Sequence, residues 1–596
     1  MKSSQAKKLL TWMLVLMLTI LPLTGALAEM ALTAGTYTAT AAGFGGPIEV
    51  SVTTSADAII SVEVLSNSET AGIGSTAVER LPGAIVAAQS LKVDAVAGCT
   101  VSSTAILTAV KDALTQAGAT EEMLSAEPAA AATEAAPAEA MEADVVVIGA
   151  GAAGLTAAIS AVENGVKNVI VLEKMPAVGG ATATAGGGMA GYKVDEDPKI
   201  TQKNKEELFL YWCRTGQFTN NARLTMLASE LSTPTLDWLQ GTCGVALSDS
   251  GEDGGMVNMG CVDRAAGAIK TLYEKVQQLN IPVLLDTRAE HLLTQDGRVT
   301  GVSAKGANGQ ALTISAKAVL LATGGYGNNP ELIPDSVGNV IYYGPVCATG
   351  DGQIMAKEVG APLFNMDKVA IKHFGIETTP GYGIHIHWAV AALFGETGSF
   401  AVSKECERVV NEGGDEYDIA YASMHKSSDG RLYIVMDQPS YDLFSGILIK
   451  YNAFTAEQLD QLIVENGSGV TKLVKNDTLA GAAEAMQLDP AALQAAADTF
   501  NAGMAAGQDA FERTSTASFG EGPYYIMQTI PRFATSLGGV NVTNDLEVLD
   551  VNEQPIPGLF AAGEVVGNVN GSYAHYLIWC FGSGMHFGDV VPAHLS

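Results

Sequence analysis

The chain has 596 residues, 47% of them apolar, 65 glycines and a formal net charge of −31. That length predicts two or more domains with sizeable cores, and the acidic balance argues against nucleic acid and anionic membrane surfaces as partners. Seven scattered cysteines (Cys99, Cys213, Cys243, Cys261, Cys347, Cys406 and Cys580) include no C-x-x-C pair. This leaves neither a zinc ribbon nor a c-type haem site, and the thiols read as small buried residues.

Residues 1–28 read as a secretory signal peptide. Lys2, Lys7 and Lys8 precede an apolar run from Leu9 to Leu23, and Ala26-Leu27-Ala28 supplies an A-x-A cleavage site. The expected location is extracytoplasmic, in a periplasm or at a cell surface. An uncleaved run would make the protein membrane-associated.

Residues 31–117 form a small α+β domain. Ile48–Val52 and Ile59–Val64 alternate apolar with polar around a turn at Ser55-Ala56-Asp57, as half-buried strands do. Helices are expected over Leu81–Ser90 and Thr104–Leu114. Before the second helix, Val93 to Ser103 holds a glycine-containing turn of the kind that presents backbone N–H groups to a phosphate. Residues 118–143, rich in Ala, Glu and Pro, read as a linker.

The stretch from Asp144 organises the rest. An apolar run, Val145–Ile148, passes into Gly149, Gly151 and Gly154, spaced G-x-G-x-x-G with Ala153 among them. A helical segment follows, then a second apolar strand, Val169–Leu172, ending at Glu173. The glycines permit a tight turn and let the backbone approach a pyrophosphate, and the carboxylate suits a ribose hydroxyl. The chain is thus expected to bind a dinucleotide. Further on come Gly179-Gly180-Ala181-Thr182 and Gly186-Gly187-Gly188. They are followed by an apolar strand entering Thr323-Gly324-Gly325, by Gly350-Asp351-Gly352 opening a helix, and by Ile556 to Glu564.

Two resemblances follow from these residues. The first domain resembles the FMN-binding domain whose flavin is joined to a threonine by a phosphoester, with a signature close to D-x-x-[ST]-G-A-T-x-[ST]-[ST]. Asp94, Gly98, Thr100, Ser102 and Ser103 match it, Ala97 and Cys99 depart, and Gly45-Gly46-Pro47 and Glu69-Thr70 extend the likeness. The resemblance implies covalent FMN on Thr100. The remainder resembles the flavoprotein subunit of fumarate reductase and succinate dehydrogenase. It implies FAD along Gly180, Ala181 (the usual Asn), Thr182, Gly186 and Gly187, with Thr323 and Gly324 near the adenosine, Asp351 nearby, and Glu564 on the ribityl chain. The implied fold is α/β: a Rossmann-like FAD-binding domain over 144–365 and 531–596, with an inserted capping domain over 366–530. Within the cap, Ala456–Val464, Leu479–Met486 and Pro490–Phe500 read as helices, and Gly413-Gly414 and Gly381-Tyr382-Gly383 as surface turns.

Signal peptide, FMN domain and this flavoprotein fold together resemble secreted reductases of the fumarate and urocanate type. By that resemblance a membrane-associated donor feeds FMN, FMN feeds FAD, and hydride leaves to an activated C=C bond of a small molecule. The catalytic set departs from the family. Its R-F-x-N-E segment appears as Arg408-Val409-Val410-Asn411-Glu412, but the proton-donor arginine four residues on falls at Glu416. The H-P-T segment matches Lys372-His373-Phe374. The histidine before M-G-G falls on Ala534, and the N-R-L-G-G arginine on Ala574 or His575.

Such a site is a poor clamp for two carboxylates, each desolvated without a bidentate partner. The expected acceptor is less anionic than fumarate: an enone, an aryl-acrylate or a ketosteroid-like compound. Tyr417, His575, Tyr576 and His373 are candidates to hydrogen-bond its carbonyl or donate the proton. Glu416 could serve as acid or base if burial raises its pKa, and is otherwise a solvated acid beside Asp415 and Asp418. Fumarate or urocanate reduction proper, a 3-oxosteroid-type dehydrogenase running the reverse reaction, and a non-catalytic flavin electron carrier are the alternatives. His385 and His387, an i, i+2 pair beside Trp388, lack further ligands, and no metal is expected.

Overall fold

The computed structural model describes residues 32–595 apart from 44–45, 70–73, 94, 97–98, 126–138, 217, 452, 516, 568 and 570–575. The segment read as a signal peptide, most of the linker, Thr70, Asp94, Gly98 and His575 lie outside the described residues. Among the described residues, no helix is long and apolar enough to cross a membrane. The chain divides into two compact units, one up to Glu134 and one from Ala135.

The first unit holds a three-stranded antiparallel sheet of Gly35–Ala42, Pro47–Thr54 and Ile59–Ser66. Ile48, Val50 and Val52 point inward at period two and are fully buried. The helix expected from Leu81 starts earlier and spans Gly74–Ala88, because Ala77, Leu81 and Ile85 form one buried stripe that runs past Pro82. The next helix spans Thr100–Gln116, four residues longer at its start than its apolar pattern alone indicates.

The second unit is built on an eight-stranded sheet. Its path runs Arg288–Gln295, Arg298–Lys305, Ala311–Leu321, Glu139–Ile148, Val169–Leu172, Val283–Leu284. Pro555–Ala561 joins parallel to the end of Ala311–Leu321. The strand Glu139–Ile148 corrects the linker boundary. Glu139–Ala143, linker-like in composition, pairs in parallel with Leu312–Ala316, and this ladder orders a stretch with little apolar side chain of its own. Val145, Val146 and Val147 are fully buried, as a central parallel strand covered on both faces requires.

The helix Ala152–Glu163 follows, and the last helix, Tyr576–Val590, closes tightly on it. A Cβ at Gly584 would collide with the Ala153 carbonyl, and one at Gly588 with Ser160 and the Ala161 nitrogen. The Ser160 hydroxyl donates to the Met585 carbonyl at 2.8 Å across this contact.

A seven-stranded sheet forms the cap, in the order Ile341–Tyr342, Tyr382–His385, Lys372–Thr379, Tyr524–Phe533, Leu432–Met436, Phe400–Val402, with Leu473–Asn476 also on Tyr524–Phe533. Helices Ala456–Glu465, Leu479–Ala485 and Pro490–Ala506 stand where apolar periodicity placed them. Pro490 occupies the first turn of the last, which Asp489 caps through the Ala491 and Ala492 N–H groups.

Candidate active site

The three fingerprint glycines are needed for three different reasons. Gly149 has φ +106°, and a Cβ there would strike the Ala322 carbonyl. At Gly154 a Cβ would overlap the Gly149 carbonyl oxygen, so only glycine lets the helix leave the strand at this angle. Gly151 has nothing closer than the Gly179 oxygen at 3.8 Å. Its open side faces a cavity of about 810 Å³, counting its mouth. Gly151 also precedes the first helical residue and gives it no side-chain cap, so the helix's first N–H groups stay available to an anion.

The cavity wall brings together Gly149, Gly151, Ala153, Glu173, Gly180, Ala181, Thr182, Thr323, Gly324, Asp351 and Glu564. Gly154 lies behind it. Gly186 and Gly187 fall outside the lining. Gly187 instead has φ +98° and backs onto the Ala265 nitrogen and the Cys261 Cβ, each 3.0 Å from where its own Cβ would stand.

Glu173 is buried and accepts N–H bonds from Ala150 and Met175, both at 2.8 Å. Burial raises its pKa against those bonds. Each oxygen retains a lone pair for a hydroxyl. Asp351 holds Lys174 at 2.9 Å, Arg288 at 2.8 Å and the Thr349 hydroxyl at 3.0 Å. Burial works to raise its pKa, yet those cations and donors keep the carboxyl below the usual range. Glu564 accepts from the Ser536 nitrogen at 3.0 Å and hydroxyl at 3.1 Å. Its complete burial outweighs these donors and lifts the pKa to about 7.

Thr323 Oγ1 lines the same cavity, buried and without a partner in the protein. An uncapped helix start, the carboxylates of Glu173, Asp351 and Glu564 in the wall and this orphaned hydroxyl fit FAD. Sequence reading missed Lys174, Cys347 and Cys580, which also line the wall. All seven cysteines are free thiols, five of them buried.

In the first unit, Thr100 opens its helix, and the preceding Cys99 supplies no side-chain cap. The Ser103 hydroxyl accepts from the Val96 nitrogen at 3.0 Å. The Ser102 hydroxyl donates to Glu69 at 2.6 Å. Ser103 and Ser102 therefore tie the start of this helix to Val96 and Glu69, and an uncapped helix start suits a phosphoryl group.

The cap places the family's R-x-x-N-E segment in a structural role. Arg408 binds Glu412 in bidentate fashion and also Asp509, with its side chain 9% exposed. Glu416 corrects both readings made of it, since it is neither solvated nor raised in pKa. It is buried, with Arg532 at 2.7 Å, His387 at 3.2 Å and Lys372 at 3.4 Å. Burial pushes its pKa up, but the His387 hydrogen bond and the charges of Arg532, His387 and Lys372 prevail and hold it at about 2. A carboxylate so held has no proton to give at neutral pH.

His373 is fully buried, and neither ring nitrogen has a partner in the protein. Burial, with Arg532 adding to it, lowers its pKa to about 3, so the ring is neutral. Tyr417 lies half-buried in the same cluster with the Lys372 ammonium 5.5 Å from its ring centroid. Tyr576 is not part of the cluster. It is buried on the nucleotide side, where its hydroxyl faces the Val566 carbonyl at 3.5 Å and Glu564, Tyr326 and Cys580 are its charged or titratable neighbours.

The sequence pattern points to neither Arg532 nor Lys372 as a functional residue, and to His387 only as half of an i, i+2 pair without further ligands. An arginine inside the apolar strand Tyr524–Phe533 was the available signal, because a charge buried there needs partners. Among the described residues no group of three or more His, Cys, Asp or Glu is placed to hold a metal ion.

Comparison with known proteins gives the same division. The FAD binding domain family matches residues 144–576, and the FMN-binding domain family matches residues 43–115. The chain belongs to the fumarate reductase-like flavoproteins, FAD-dependent oxidoreductases acting on CH–CH groups, and carries an FMN-binding domain as well. It is 32% identical to urocanate reductase of Eggerthella lenta over 558 residues, covering 90% of this chain and 88% of that one. It is 31% identical to a fumarate reductase (cytochrome) of Shewanella frigidimarina over 443 residues, 72% of this chain and 73% of that one. Among solved structures, the open conformation of a flavocytochrome c3 fumarate reductase superposes with a TM-score of 0.61 at 27% identity, covering 77% of this chain and 79% of that one.

Proposed function

We propose that this flavin-dependent reductase is exported and reduces the activated C=C bond of a small organic acceptor less anionic than fumarate. The observation that carries the reading is the cap cluster, where the expected proton-donor arginine is replaced by Glu416, an ionised and already paired carboxylate. When bound, FMN would take electrons from a membrane-associated donor and FAD would supply hydride to the acceptor.

The chain's own residues do the rest. The Thr100 hydroxyl provides the oxygen of the phosphoester. The open helix start after Gly151 receives the pyrophosphate, Glu173 the ribose, and Glu564 with Ser536 the ribityl chain. His373, neutral and unpartnered, can donate one hydrogen bond to an acceptor carbonyl without adding charge. Tyr417 is the candidate to hold and release the proton, with Lys372 beside its ring. Export rests on the leader pattern in residues 1–28.

The test is anaerobic. The reduced protein is mixed with enones, acrylates and fumarate, and flavin reoxidation is followed against buffer. Fast reoxidation by enones or acrylates and slow reoxidation by fumarate is expected. Rapid turnover of fumarate would sink the acceptor assignment. No reoxidation by any alkene would favour the second reading, an electron carrier, which the missing arginines also permit.

A further inference from the structure

One carboxylate in the wall of the FAD cavity has no cation beside it. Glu564 lies in the turn Gly563–Val565, just after the strand Pro555–Ala561, and lines the cavity. The two cations of that wall, Lys174 and Arg288, are both bound to Asp351. Glu173, in turn, has two backbone N–H bonds and the Lys174 charge to favour its ionised form. Glu564 is left with neutral donors alone, Ser536 and the Gly325 backbone, and burial raises its pKa to about 7 against them. The fit is close, since a Cβ at Gly325 would fall 2.3 Å from Glu564 Oε1.

The groups that face Glu564 are neutral on every side. Tyr326 comes from the turn after Ala311–Leu321, Tyr342 and Cys347 from the strand Ile341–Tyr342 and the loop behind it, and Tyr576 and Cys580 from the last helix. All five feel its charge, and burial raises the pKa of each, so all stay protonated at neutral pH. Tyr326 and Tyr342 donate their hydroxyl protons to the Met366 and Pro345 carbonyls, both at 3.0 Å, and neither is placed to pass one to Glu564. The Ser536 hydroxyl accepts from the Tyr326 nitrogen at 3.0 Å, which directs its own hydrogen to Glu564. Both Ser536 bonds end on Oε1. That oxygen accepts them whether or not Oε2 carries a proton, so the carboxyl can load and unload without rearrangement.

We infer that Glu564 is the redox-linked proton site of the flavin cavity, taking up one proton from solvent as FAD is reduced and releasing it as FAD is reoxidised. Two electrons and one proton added to FAD bring one negative charge into the cavity. The second proton, on Glu564, cancels it, so two electrons and two protons enter with no change in net charge. A like charge arriving beside a carboxylate that has no counter-ion raises its pKa, and does so strongly where water is excluded. Asp351, held low by Lys174 and Arg288, is insulated from the same effect. The inference stands on the FAD cavity and is independent of which alkene is reduced.

The holoenzyme is titrated anaerobically with dithionite, and the FAD midpoint potential is followed against pH. The same titration in Thr100→Ala separates FAD from covalent FMN. Above about pH 7, wild type should take up two protons per electron pair and Glu564→Gln one, so the slope of potential against pH halves. Each proton contributes about 30 mV per pH unit, a tenfold change in proton activity. On the acid side of pH 7 the two proteins should agree, because Glu564 is then protonated in both redox states. Reduced-minus-oxidised infrared spectra should show a protonated carboxyl band in wild type that Glu564→Gln lacks. Ser536→Ala removes one donor to Oε1 and should move the break in slope to higher pH.

Equal slopes in wild type and Glu564→Gln, or a carboxyl band that survives the substitution, would overturn the inference. If Glu564→Gln does not hold FAD, wild type and Ser536→Ala decide. A wild-type band with a break that moves in Ser536→Ala supports Glu564, and a wild type with neither band nor break overturns it.

Discussion

Arg408 and Glu412 meet as a bidentate pair, Nε to Oε1 and Nη2 to Oε2 both at 2.8 Å, one helical turn apart in number but outside any helix. The same guanidinium binds Asp509 and lies over the Phe500 and Phe511 rings at 4.9 and 5.2 Å. This residue joins two segments of the cap 101 residues apart in sequence, and its donors are taken up by Glu412 and Asp509. Arg408→Gln should therefore cost stability, about 3–5 kcal/mol, because two buried carboxylates lose their partner. Urea unfolding checks it, and a variant of wild-type stability with altered acceptor preference would show that the assignment to structure is wrong.

Acidification should unfold the protein through two groups with depressed pKa values. Glu416 lies at about 2 in the fold against an ordinary 4.5. Its contribution is complete above the unfolded value and is lost as pH falls from about 4.5 toward 2. His373 lies at about 3 against 6.5. Below pH 6.5 the unfolded chain takes up a proton that the folded chain refuses, so stability also declines from there toward pH 3. His373→Phe should flatten the stability profile between pH 6.5 and 3. Urea midpoints measured across that range would expose an unchanged slope.

Two glycines of the fingerprint should fail in different ways. Gly151→Ala puts a methyl group into open space, so the apo-protein should keep its stability and lose FAD. Gly154→Ala forces a Cβ into the Gly149 carbonyl, so the fold itself should weaken by several kcal/mol, in the manner of an overpacked core. Melting temperature and bound-flavin content, measured together, separate the two. If both variants retained FAD, the cradle described around Gly151 would be misassigned.

Thr100→Ala should abolish covalent flavin, seen as loss of fluorescence on a denaturing gel, with FAD content unchanged. Ser102→Ala breaks the 2.6 Å bond to Glu69 and should loosen the first unit while keeping some covalent flavin. Covalent flavin persisting in Thr100→Ala would move the attachment point elsewhere.

The nucleotide half was legible because its constraints are local. Gly149, Gly151, Gly154 and Glu173 lie within one strand-helix-strand unit, and the turn they form has few alternatives. The cap cluster is the opposite case. Glu416 sits in a linear run of acids, and nothing nearby in sequence indicates that Arg532 and Lys372 reach it. They do so because Lys372 and Arg532 are register partners on neighbouring antiparallel strands and the helix from Glu416 packs on that pair. Residues 139–143 failed for a related reason. Their order comes from a ladder with Leu312–Ala316, and composition carries no trace of a partner so distant in sequence. Thr104 as a helix start failed more mildly, since the turn holding Thr100 is apolar-poor and is organised by Ser102 and Ser103 instead.

The close contact of Gly584 and Gly588 with the helix after Gly151 bears on biosynthesis. The strand ending at Ala561, the turn to Glu564 and the helix carrying Cys580 supply one wall of the nucleotide cavity. A nascent chain that has emerged only through the fingerprint and the cap would still lack that wall. The cavity is thus closed only once the chain has emerged through Cys580, and a chain stalled before Tyr576–Val590 would lack that wall.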